Sequence, residues 1–133
     1  MVRFFIGHAV AGCNIADLKS EFKKVYEVLE NRGNSSYDTL KEGAEFEKKS
    51  KLKIMEHAFK NINGCDAFLA IVRSEIKSEG MLMEIGYCLA QKKRIVLVIQ
   101  EDIKNTYLRE LADVVIEYRN SEDMIEKLRG ESY

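Results

Sequence analysis

The segment Ser78-Glu79-Gly80-Met81-Leu82-Met83-Glu84-Ile85-Gly86-Tyr87 sets one carboxylate in an apolar run, and from Gly80 through Ala90 Glu84 is the only charge. A helix that is apolar nearly all round is normally buried on most of its faces, and a buried carboxylate costs several kcal/mol unless it is paired or used. Two readings follow. Glu84 and Gln91, seven residues apart, share a face that could be a narrow solvent strip, or Glu84 is a working carboxylate in a cleft. The second is the stronger expectation. Ser78, at the start of this helix, offers a hydroxyl beside free backbone N–H groups. That is an anion site, or equally a plain N-cap. Gly80, with no side chain, lets a ligand approach the helix start closely. Asp66 stands at the turn into an apolar strand, where it either faces a ligand or merely caps the turn.

These residues need elements to hold them. Val2 to Gly7 is a short run of β-formers, and Ile15 to Arg32 repeats Leu18, Phe22, Val25, Tyr26 and Leu29 at helical spacing. Gly33-Asn34-Ser35-Ser36 stops that helix, Gly33 suiting the left-handed position after a C-cap. A short strand is weakly signalled at Tyr37 to Leu40. Ala44 to Ile62 again has helical spacing and ends at Asn63-Gly64. Ala67 to Val72 and Ile95 to Ile99 are unbroken apolar runs, with Val114 to Ile116 a weaker third. Strands without alternation are buried on both faces, which predicts adjacent or near-central parallel strands covered by helices. Shorter helices are expected around Thr106 to Leu111 and Asp123 to Arg129. Strand and helix alternate throughout, so the chain should form an open α/β sheet of about four or five parallel strands. Ligands in such sheets bind outside the carboxyl ends of the strands. That edge would carry Gly7-His8, Arg73-Ser74, the Ser78 to Glu84 turn and Gln100-Glu101.

The 133 residues, 46% hydrophobic and 32% charged, read as one globular domain over 1–133. A formal charge of -1, from 21 basic and 22 acidic residues, gives no electrostatic reason to bind nucleic acid polymers or anionic membranes. The lysines around Lys48 to Lys53 read as a solvated helix face, and His57 as a solvent-facing residue of the same charged helix. The start of the chain is too short for a signal segment, and no apolar stretch approaches ~20 residues. A cytoplasmic location and a small-molecule partner are expected. Cys13, Cys65 and Cys88 lack metal-type spacing and read as packing residues, so no metal is expected.

Phe4-Phe5-Ile6-Gly7, Cys65-Asp66-Ala67-Phe68-Leu69-Ala70 and Gly80-Met81-Leu82-Met83-Glu84-Ile85-Gly86-Tyr87, the last followed by the basic turn Lys92-Lys93-Arg94 and an apolar strand, together resemble the nucleoside 2-deoxyribosyltransferase family. That family and its relatives acting on deoxynucleoside 5'-monophosphates break the N-glycosidic bond. The resemblance implies that Glu84 attacks or stabilises the anomeric carbon, where a carboxylate can trap an oxocarbenium-like centre as a sugar ester. The helix dipole fades after the first turn, so ionisation of Glu84 should come mostly from hydrogen bonds. Asp66 matches the aspartate that hydrogen-bonds or protonates the departing base. Ser78 stands where the transferases resemble one another in having aspartate and the nucleotide hydrolases serine, which implies a phosphate ligand.

Two positions depart from the pattern. Phe4 stands where the family usually has a tyrosine that orients the glutamate. The loop His8-Ala9-Val10-Ala11-Gly12 lacks the serine and arginine with which the hydrolases hold phosphate; His8 either takes over part of that work, by donating to phosphate or orienting Glu84, or is an ordinary hydrogen-bonded residue. Met81, Met83 and Tyr87 either line a base pocket or simply pack.

The resulting expectation is a three-layer, flavodoxin-like or Rossmann-like domain with helices on both faces of its sheet, cleaving the N-glycosidic bond of a nucleoside or its 5'-monophosphate by hydrolysis or transfer. The substrate would be bound by Phe4, Gly7, His8, Ser78, Gly80 and Met81, with Glu84 and Asp66 catalytic and no cofactor. The resemblance also implies a homodimer or larger assembly, with Asn105 to Asp113 lending residues to a neighbour. The competing expectation is a nucleotide-binding or sensing module that kept the pocket and lost the chemistry. A phosphoacceptor receiver domain is excluded, since Gly7, His8 and Ala9 stand where its acidic cluster belongs.

Overall fold

The computed structural model describes residues 1–133. Its five strands are β1 (Arg3–Ala9), β2 (Ser35–Tyr37), β3 (Ala67–Val72), β4 (Arg94–Gln100) and β5 (Val114–Tyr118). They form one sheet in the order β2-β1-β3-β4-β5, every neighbouring pair parallel. The two unbroken apolar runs, β3 and β4, lie side by side in the interior of the sheet, and all six residues of β3 are buried. The chain goes from β1 outward to β2 and then crosses back past β1 to β3. The order therefore reverses between β1 and β3, and a crevice forms beyond their carboxyl ends.

The helices are α1 (Ile15–Asn31), α2 (Ala44–Glu47), α3 (Lys51–Asn63), α4 (Glu79–Ala90), α5 (Leu108–Leu111) and α6 (Ser121–Gly130). Successive strand residues point to opposite faces, which divides the core into two layers. On one face Phe5, Phe68, Ala70, Leu97 and Ile99 pack with Ala58 and Ile62 of α3 and Met81, Ile85 and Cys88 of α4. On the other, Phe4, Ile6, Leu69, Ile71, Val96 and Val98 meet Val25, Val28 and Leu29 of α1 and Met124 and Leu128 of α6. No helix is long and apolar enough to cross a membrane.

Local chemistry explains the boundaries and three departures from expectation. Asn14 caps α1 by accepting from Ala16 N–H, and Gly33 follows it with φ +81°. The segment from Ala44 to Ile62 is two helices rather than one, because Ser50 adopts an extended conformation and its hydroxyl accepts from Lys53 N–H, opening α3. Periodicity alone does not register such a cap. The strand sought at Tyr37 to Leu40 lies earlier, at β2; Asp38 turns the chain into a 3-10 turn, Thr39–Glu42, by accepting from Lys41 N–H. Finally, α4 is apolar all round without being buried all round: Met81, Ile85 and Cys88 form its buried seam, while Leu82, Met83 and Leu89 face outward.

Candidate active site

The carboxyl ends of β1 and β2 and the first turns of α4 enclose a cleft of about 180 Å³. Phe5, Gly7, Val10, Thr39, Leu40, Ile54, Met55, Ser78, Gly80, Met81 and Glu84 line it. Glu84, Ser78, Gly80 and Met81, which the sequence singled out together, are thus brought together. A larger groove of about 650 Å³ runs between α1 and α6, but Asp17, Glu21, Glu27, Glu122 and Glu126 make its wall predominantly acidic. It lacks the switch-point position that a parallel sheet gives to ligands.

Glu84 is half-buried on α4, and no hydrogen bond from the rest of the chain reaches its carboxylate. Burial alone pushes its pKa up to about 7. The expected hydrogen bonds that would keep it ionised are therefore not supplied by the protein. The carboxylate is left with its acceptor positions free inside the cleft.

At the start of α4, Ser78 Oγ accepts from Met81 N–H at 3.3 Å. The N–H groups of Glu79 and Gly80 precede the first intrahelical bond, that of Leu82 N–H to Ser78 C=O at 3.0 Å. A Cβ added at Gly80 would meet nothing within 4 Å, so the helix start is open to a ligand. Met81 is buried and both packs in the core and borders the cleft.

Other expected site residues stand elsewhere. Phe4 is 1% exposed on the α1/α6 face, with its ring 5.9 Å from that of Tyr133. The sheet separates it from α4. Phe5 is the β1 aromatic in the cleft, stacked on Phe68 at 5.5 Å. Neighbouring residues of a strand point to opposite faces, so Phe5 and not Phe4 is on the side of α4. Asp66 lies at the amino end of β3, where its carboxylate accepts from Arg3 N–H at 2.9 Å and its own N–H donates to Arg3 C=O. It serves the turn there and does not line the cleft. Met83 is exposed, and Tyr87 stacks on Phe59 at 4.4 Å and donates to Asn63, joining α4 to α3. His57 keeps a partly solvent-facing side chain, 36% exposed, and meets Tyr37 Oη at 2.8 Å and Glu42 at 3.3 Å.

His8 borders the cleft, yet its side chain is only 3% exposed and both ring nitrogens are occupied. Nε2 lies 3.1 Å from Asp38 Oδ2, and Nδ1 lies 3.1 Å from Arg73 Nη2. Neither nitrogen is free to donate to a phosphate. Asp38, the one buried charged residue, also accepts from Tyr26 Oη at 2.5 Å and from the Lys41 backbone. These bonds outweigh burial and hold its carboxyl below the usual range. Asp38 and Tyr26 were not anticipated; Arg73 was expected at this edge of the sheet, but not as the partner of His8. The one local signal was Asp38 ahead of Thr39 in a turn, and it points to capping only.

The family model of nucleoside 2-deoxyribosyltransferases matches residues 11–126. Among solved structures, the CMP N-glycosidase BcmB of Clostridium botulinum superposes with a TM-score of 0.69 at 23% identity, over 95% of this chain and 97% of that one. A conserved protein from Enterococcus faecalis V583 gives 0.65 at 14% identity, over 99% of each chain. The 2-deoxyribosyltransferase of Bacillus psychrosaccharolyticus gives 0.65 at 13% identity, over 98% of this chain and 93% of that one. Comparison with curated protein sequences gives no match. Structural similarity at these identities establishes the common fold; the family match over residues 11–126 establishes descent, and the chain belongs to the nucleoside 2-deoxyribosyltransferase family, whose enzymes cleave or transfer at the N-glycosidic bond.

Proposed function

We propose that this protein cleaves the N-glycosidic bond of a nucleoside 5'-monophosphate, with Glu84 as the group that meets the anomeric carbon. One observation carries the reading: Glu84 is a carboxylate with no partner in the chain, lining a cleft at the switch point of the sheet. In its ionised form a Glu84 oxygen attacks the anomeric carbon as the bond to the base breaks; the base leaves with the electron pair and takes a proton from solvent. The sugar ester is then opened by water, or by a second base in a transfer reaction. Asp66, at the other edge of the sheet, has no part in this sequence.

The 5'-phosphate is assigned to the start of α4. Two N–H groups there precede the first helical bond, Ser78 brings no charge to oppose the anion, and the space around Gly80 is open. The surrounding apolar side chains, Phe5, Leu40, Ile54 and Met55, suit the flat face of a base. The activity is assigned to a single domain that associates with a second copy of itself. Leu82, Leu89, Leu111 and the 83% exposed Tyr107 supply apolar surface for that contact, in keeping with a lending role for Asn105 to Asp113.

The deciding experiment is incubation with a panel of nucleosides and 5'-monophosphates, with and without an acceptor base, followed by chromatography for free base. Base release from at least one monophosphate is expected. Tight binding without any release would favour the sensing module instead.

A further inference from the structure

Behind the cleft a chain of polar side chains crosses from α6 to β2. Ser121 Oγ donates to Glu21 Oε2 at 2.6 Å, Arg73 Nε donates to Glu21 Oε1 at 2.7 Å, Arg73 Nη2 reaches His8 Nδ1 at 3.1 Å, and His8 Nε2 reaches Asp38 Oδ2 at 3.1 Å. The side chains of His8, Asp38, Arg73 and Glu21 are each no more than 10% exposed. A guanidinium can only donate, so His8 Nδ1 must accept from it. The ring proton therefore sits on Nε2 and is donated to Asp38, and the imidazole is neutral. His8 also packs against Phe22 in a tilted contact, with ring centroids 4.4 Å and planes 50° apart, which restrains its ring.

The consequence lies at Asp38. Its carboxylate turns the chain from β2 into the 3-10 turn, and the next two residues, Thr39 and Leu40, are cleft wall. We propose that His8 is a positioning residue of the active site: as a neutral link between Arg73 and Asp38 it fixes the Asp38–Leu40 corner, and it does not touch the substrate's phosphate. This rests on the cleft being the site of the proposed function. The groups facing His8 are Asp38, Arg73 and Phe22, with Tyr26, Glu21 and the Lys41 backbone one bond further on. Burial is the main cause that holds its pKa below the ordinary imidazole value; the Arg73 charge acts in the same direction and Asp38 against it.

The test uses the full chain and three forms: wild type, His8→Gln, which keeps a donor and an acceptor on one terminal amide, and His8→Leu, which keeps neither. Nitrogen-15 NMR of the wild type should show a neutral ring protonated at Nε2 and no titration near pH 6.5. Backbone amide signals of Thr39 and Leu40 should move in His8→Leu and return toward wild type in His8→Gln. In calorimetry and kinetics His8→Leu should lose affinity or kcat/KM by on the order of 10–100-fold, equally for a nucleoside and its 5'-monophosphate, because the wall and not a phosphate contact is altered. His8→Gln should recover most of that loss. A ring protonated at Nδ1, or a loss confined to the monophosphate, overturns the proposal. Should the wild type bind no nucleotide, the reading of the cleft fails on its own, and the NMR measurements still decide the role of His8. They do so as well if His8→Leu does not fold, through the tautomer and the Thr39 and Leu40 signals of His8→Gln, which must match the wild type.

Discussion

The tip of the Phe68 ring fills the place where a side chain on Gly7 would begin: a Cβ added to Gly7 would lie 2.4 Å from Phe68 Cζ and 3.5 Å from Met81 Cε. Gly7 is required by packing within the α3/α4 layer. Besides lining the cleft itself, it acts there through the ring of Phe68, which stacks on Phe5, and through Met81. Gly7→Ala should destabilise the protein by about 1–3 kcal/mol, because the ring is buried and has nowhere to retreat. Denaturant unfolding measures this directly. An unchanged midpoint would mean that the layer yields more easily than its close packing implies.

The two phenylalanines of β1 separate by the same logic. Phe5→Tyr sets a hydroxyl on the layer that carries Glu84, whereas Phe4→Tyr places one in the α1/α6 layer on the far side of the sheet, where the Phe4 ring neighbours Tyr133. An unpartnered buried hydroxyl costs roughly 1–3 kcal/mol, so Phe4→Tyr should lower the melting temperature while leaving the pH dependence of base release as it was. Phe5→Tyr should alter kcat or its pH dependence. The reverse pattern would place the orienting position at Phe4 after all.

These two residues also show what a sequence can and cannot disclose. The runs in β3 and β4 identify themselves because burial on both faces leaves an unbroken apolar string, and Glu84 stands out as the one charge in its helix. On β1, Phe4 and Phe5 are equally apolar and equally buried, so composition gives no sign of which faces α4; only pairing to Phe68 decides it. The link from Arg73 through His8 to Asp38 joins residues 65 and 30 positions apart. Contacts that distant leave no periodicity to read. Asp66 misled for the complementary reason, since an acidic residue before a strand serves a turn or a ligand with the same letter.

Ser78→Asp tests the phosphate assignment without disturbing the helix. Aspartate caps a helix N-terminus as well as serine does, so α4 should keep its start. The new carboxylate would repel a 5'-phosphate bound to the first-turn N–H groups. Monophosphate affinity should fall about tenfold or more, which is ~1.4 kcal/mol, while nucleoside affinity stays the same. Equal losses for both ligands in calorimetry would remove the phosphate from this end of α4.

Attack on the anomeric carbon requires the ionised carboxylate, and burial places the pKa of Glu84 at about 7. In the proposed mechanism kcat/KM therefore rises with pH and levels off above that value, the acid limb reporting the free enzyme. An acid limb near 4.5, the ordinary value for a glutamate, would mean that another donor ionises Glu84 in solution. A rate that falls as pH rises through 7 would instead assign the protonated form to the chemistry, with Glu84 as an acid.

Glu84→Gln joins the function of this residue to its cost. The folded state holds the Glu84 proton up to about pH 7, while the unfolded chain releases it near 4.5. Between those values the folded state binds more protons, so the wild type loses stability as pH rises through the window and loses no more above it. The full cost of ionising Glu84 in place is up to about 3 kcal/mol, from the difference between the two pKa values. Glutamine fills the same space and carries no charge at any pH. The variant should match the wild type at pH 4, gain on it steadily from pH 4.5 to 7, and melt higher by a constant margin beyond. Base release should be abolished throughout, with ligand binding retained, since an amide neither attacks carbon nor balances an oxocarbenium charge. Thermal melts across this pH range, run beside the chromatographic assay, distinguish the outcomes. Lost turnover with raised stability at pH 8 is the result expected of a carboxylate kept for chemistry; lost stability would make Glu84 a structural residue, and retained turnover would take it out of the reaction.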